Sequence, residues 1–165
     1  MMKKLKIYLD TSVINFLFAD DAPEYRSITE DFFHNFVKTK KYETYISNVV
    51  IQELELTTNE AKRNQLLDVI KQYPFSLLEA SEKTVDEIEY LGKHYIQNKI
   101  IPENKLADAL HIAYSVVFEM DILLSWNFKH LANYQKEKVI SILNQSLGYY
   151  YPFRMTNPTE VIADE

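Results

Sequence analysis

"IYLDTSVI", residues 7–14, sets a carboxylate, Asp10, directly after an apolar, β-prone run. A charge is rarely buried unless it is paired or bound to a metal. Asp10 therefore either caps the turn that follows or meets something cationic. The run in front of it is the first of a series: LKIYL (5–9), TYIS (44–47), FSLLE (75–79), ILLS (122–125) and YYPFRM (150–155). Between these runs, apolar side chains keep helical spacing at Tyr25, Ile28, Phe32 and Phe36, at Val85, Ile88, Gly92 and Tyr95, and at Leu106, Leu110, Ala113 and Val117. Strand and helix in alternation predict an α/β fold, a mostly parallel sheet wrapped by helices, because parallel neighbours need crossover connections.

A chain of 165 residues, 47% hydrophobic, fits one compact domain over 1–165. With no cysteine, disulfides and thiolate zinc sites are excluded, which is compatible with a reducing cytoplasm. The opening MMKKLKIYLD is basic like a secretory signal, but Lys6 and Asp10 interrupt its apolar part, so it reads as mature protein. No stretch reaches the roughly 20 apolar residues of a membrane span, so a soluble, cytoplasmic protein without a membrane partner is expected. The only glycines, Gly92 and Gly148, are far apart, whereas phosphate-cradling loops of the P-loop or Rossmann kind need them clustered. A net charge of -6 confines any nucleic-acid contact to a local basic patch.

Sites in open parallel sheets gather outside the carboxyl ends of the strands, which is where Asp10 emerges. The second run leads into NVVIQELEL, a helix capped by Ser47 or Asn48 and carrying Glu53 and Glu55. Those two are about 200° apart around a helix, so they cannot share a site, and one is solvated. In PENKLADALHIA, Asn104 is read as the N-cap and Asp108 as an acid of the first turn, opposite the stripe through Leu106. Ser125 and Asn127 close the fourth run. Taken singly, each acid has a plainer explanation: a cap for Asp10, a surface acid for Glu53, a helix-dipole partner for Asp108.

Taken in order, LDTS, then IS with a Glu on the next helix, then ADALHIA, then LLSWNF and a closing TNPTEVI resemble the PIN-domain nucleases, which include toxins of toxin-antitoxin pairs. The resemblance implies a five-stranded parallel sheet of order 3-2-1-4-5 flanked by helices, and metal-dependent cleavage of RNA. It carries the acidic cluster over as Asp10, Glu53 and Asp108, and puts Asn127 where a fourth acid is usual. It also implies a cognate antitoxin, and a homodimer is common in the family.

The chemistry suits the residue types. Carboxylates from separate elements make a hard oxygen site for Mg²⁺ or Mn²⁺, with Asn127 able to lend an uncharged oxygen. Such an ion lowers the pKa of a water and offsets charge on phosphate oxygens. Ser12 and Ser125 are expected to hydrogen-bond the acids. The four histidines lack ligand spacing and stay outside the metal set, His111 among them. Lys129 and His130, with Lys99 and Lys105, are expected to steer a phosphate backbone. Two other classes stay open. Asn127 and the acidic charge suit a PIN-like module that binds RNA or protein without cutting. A phosphatase with an aspartate nucleophile fits less well, because its second Asp is replaced by Ser12.

Overall fold

In the computed structural model, which describes residues 3–163, the first run forms β1 (Lys6–Leu9), and its Ile7, Tyr8 and Leu9 have no exposed surface. A strand buried on both faces belongs in the middle of a parallel sheet. β1 pairs with β2 (Glu43–Ile46) on one side and, on the other, with β4 (Ile122–Leu124). The edges are β3 (Ser76–Leu77) and β5 (Arg154–Thr156). All pairings are parallel and the order is 3-2-1-4-5. The chain winds outward from β1 to β3 and then crosses back to β4. That reversal opens a crevice at the carboxyl ends of β1 and β4.

Pairing continues past the strand ends: the Asp10 N–H donates to the Leu124 carbonyl at 3.1 Å, and the Ser125 N–H to the Thr156 carbonyl at 2.9 Å. Helices then leave the crevice at once. Asp10 accepts the Val13 N–H at 3.3 Å and so caps α1 (Thr11–Asn15). A 3₁₀ turn (Phe16–Phe18), α2 (Pro23–Phe32) and a π turn (Phe33–Val37) lead to β2. Ser47 caps α3 (Asn48–Glu55) by accepting the Val49 N–H at 3.2 Å. The rest of the cover comes from α4 (Glu60–Gln72), α5 (Glu82–Gln97), α6 (Leu106–Val117), α7 (Tyr134–Ser146) and α8 (Pro158–Ile162). Among the described residues no helix is long and apolar enough to cross a membrane.

Several local expectations are corrected. The fifth run starts too early, because Tyr150, Tyr151 and Pro152 are exposed and only Arg154–Thr156 pairs. α6 begins at Leu106 with Lys105 in the cap position and no side-chain cap bond, so Asn104 is not the cap. Its expected stripe also fails: Leu106 is half exposed, while every residue from His111 to Val116 is buried. A helix buried nearly all round has no single apolar face to read. Tyr25 and Val85, expected on buried faces, are exposed. Helices α4 and α7 lie outside the three helical patterns that the sequence displays.

Candidate active site

Asp10 is only 4% exposed, and both its oxygens are engaged. Oδ1 accepts from the Ser12 hydroxyl at 2.6 Å and Oδ2 from the Ser125 hydroxyl at 2.6 Å. The two serines are themselves fixed, since Ser12 Oγ accepts the Trp126 N–H and Ser125 Oγ accepts the Asn127 N–H, each at 2.9 Å. Burial pushes the Asp10 carboxyl above its ordinary value. His111 and the two hydroxyls pull it back, and the charge of Asp108 adds to the rise.

Glu53 lies on the inward side of α3 with its side chain about one-third exposed (34%), whereas Glu55 faces solvent. Its Oε1 accepts from the Thr11 hydroxyl at 2.5 Å and contacts His111 Nε2 at 2.7 Å. Burial alone raises this carboxyl, but the hydrogen bonds from His111 and from the Thr11 hydroxyl leave it below its ordinary value. His111, set aside in the sequence, is thus a direct neighbour of an expected site residue. Its signal was the spacing of one helical turn from Asp108, but its partner is Glu53, on another helix.

Asp108, in the first turn of α6, is also less solvated than expected, with its side chain 16% exposed. Its Oδ2 receives the Asn127 amide N–H at 3.3 Å and stands 3.0 Å from His130 Nδ1. The other end of Asn127 fixes its orientation: Oδ1 accepts the N–H groups of Lys129 at 3.2 Å and His130 at 3.0 Å. An amide nitrogen in that place would face two donors. Asn127 therefore turns its nitrogen to Asp108 and its oxygen to the backbone N–H groups of Lys129 and His130.

Beyond His130 lies a cleft of about 530 Å³ lined by Lys99, Lys129 and Lys136 together with Glu103; Lys105 is not part of its lining.

Among the described residues, no three Asp, Glu or His side chains are gathered tightly enough to form a ready metal cage. The donor set fits a hydrated ion better. Mg²⁺ takes one or two carboxylates and keeps several waters, and Asp10 is a buried acid whose charge is opposed by burial and by Asp108. A hard divalent cation relieves both.

Residues 7–125 match the family model described as the PIN domain. No curated protein matches the sequence. Two solved structures are similar at low identity. VapBC2 from Rickettsia felis, in a crystal structure bound to a DNA fragment from its promoter, has a TM-score of 0.55 and 15% identity, covering 93% of this chain and 98% of that one. VapBC-1 from nontypeable Haemophilus influenzae has a TM-score of 0.56 and 12% identity, covering 92% and 98%. At such identities the likeness concerns the fold.

Proposed function

The chain belongs to the PIN-domain family, and from that premise we propose that it is a divalent-metal-dependent endoribonuclease, the toxin of a toxin-antitoxin pair. The observation that carries the reading is the buried Asp10 at the crevice between β1 and β4, its charge opposed by Asp108. The two VapBC neighbours support an antitoxin partner for this chain as well.

In this reading Asp10 and Asp108 hold Mg²⁺ or Mn²⁺, with Glu53 as the third acid of the site. When bound, the ion supplies a stronger nucleophile from water and offsets charge on the phosphate. Ser12 and Ser125 keep the Asp10 carboxylate in one orientation, and Asn127 and His130 do the same for Asp108. Lys129, with Lys99 and Lys136, draws the RNA backbone toward the cleft.

The test is cleavage of RNA with and without Mn²⁺. Asp10→Asn, Glu53→Gln and Asp108→Asn should each lower divalent-dependent cleavage by about 100-fold or more, and double variants should be scarcely worse, because groups acting as one unit are non-additive. Wild type that cuts no RNA with Mg²⁺ or Mn²⁺ would overturn the assignment and favour the second reading, a non-cutting PIN module. That reading draws on Asn127, which brings Asp108 an amide in place of another charge.

A further inference from the structure

We propose that the buried hydrogen-bonded chain Ser47–Tyr8–His111 is a positioning device for Glu53, one that ties a single oxygen of that carboxylate to the protein and leaves the other for the ion. The inference rests on the nuclease reading above.

The chain is closed to solvent: Tyr8 and Ser47 have no exposed surface, and His111 is 1% exposed. The Tyr8 hydroxyl lies 2.7 Å from Ser47 Oγ and 2.6 Å from His111 Nδ1, and His111 Nε2 lies 2.7 Å from Glu53 Oε1. One direction satisfies every hydrogen with an uncharged ring. Ser47 Oγ accepts the Val49 N–H, so its own hydrogen goes to Tyr8. Tyr8 then donates to Nδ1, which leaves the imidazole proton on Nε2, pointing at the carboxylate.

Thr11 donates to the same Oε1, so that oxygen is held twice, and Oε2 has no hydrogen-bond partner among the described residues. Ser47 also caps α3, the helix that carries Glu53, so one hydroxyl constrains both the backbone and the side chain of that acid. His111 stands in a stretch of α6 whose other buried residues include the apolar Ala109, Ile112 and Ala113. A polar ring in an apolar core calls for a polar task.

The experiment compares His111→Gln, which offers an N–H where Nε2 stood, with His111→Asn, which reaches only the place of Nδ1. Mn²⁺ affinity is read by isothermal titration, and the wild-type imidazole tautomer by nitrogen NMR. Positioning predicts near-native affinity for His111→Gln, a loss of about tenfold or more for His111→Asn, and a wild-type proton on Nε2. Equal affinities for the two variants, or a wild-type proton on Nδ1, would overturn it. Tyr8→Phe should release the ring into a mixture of tautomers; should that variant not fold, the His111 pair still decides. If wild type takes up no Mn²⁺, the nuclease reading falls by itself, and the wild-type tautomer alone judges the chain.

Discussion

Asp10 is ionised in the unfolded chain at neutral pH, yet burial in the fold pushes its carboxyl up. The folded protein therefore binds this proton more tightly than the unfolded one. The stability that Asp10 contributes is present below its unfolded pKa and is lost as pH rises through the folded value. In metal-free protein, Asp10→Asn should accordingly raise the thermal midpoint at about pH 7, with the gain shrinking toward about pH 4. Calorimetry in chelator at both pH values checks this; a less stable Asp10→Asn at neutral pH would mean that the serine hydroxyls outweigh burial. Saturating Mn²⁺ should stabilise wild type, and the variant much less. Asp10 was legible through the ordered motifs rather than alone, because a carboxylate after an apolar strand also serves as a helix cap, as Asp10 does for α1. His111 was not, because the residue that explains it, Glu53, is 58 positions away, and spacing along one helix cannot show a partner on another.

At the scale of elements, α6 brings Asp108 and His111 to the site, and α5 meets it at Gly92, where an added Cβ would stand 3.3 Å from Leu110 Cδ2. That contact is with the end of a flexible side chain, and alanine favours a helix over glycine by about 1 kcal/mol, so Gly92→Ala should be close to neutral. Gly92→Val has no such room and should cost about 1–3 kcal/mol by overpacking. Urea denaturation of the two variants separates them; equal midpoints would mean the helices part without strain. Strands are legible in the sequence where burial is complete, as in β1, and less so at β5, where exposed tyrosines imitate an apolar run. The outer face of α7 carries exposed Val139 and Ile142, which blurs the period that would have announced it.

Across the whole molecule, the net charge of -6 leaves few basic places on the surface, and in the proposed reading the cleft lined by Lys99, Lys129 and Lys136 is where an RNA backbone would be held. Binding of single-stranded RNA by the inactive Asp10→Asn protein should then weaken with salt at a slope of only about −2 on logarithmic axes, and Lys129→Ala should lower it by about 0.7. Fluorescence anisotropy across a salt series measures both, and an unchanged slope in Lys129→Ala would remove the cleft from the RNA path. The strand order itself came from family resemblance, since alternation of runs predicts a parallel sheet without saying which strands are neighbours. The order has a consequence in time. Asp10 receives its Ser125 hydroxyl from a residue 115 positions later, and Asp108 receives its amide from Asn127. A growing chain thus carries its first acid from the earliest moments of synthesis, but cannot assemble the centre until three-quarters of it has been translated. In the proposed nuclease reading, an unfinished copy would have no assembled centre with which to cut RNA.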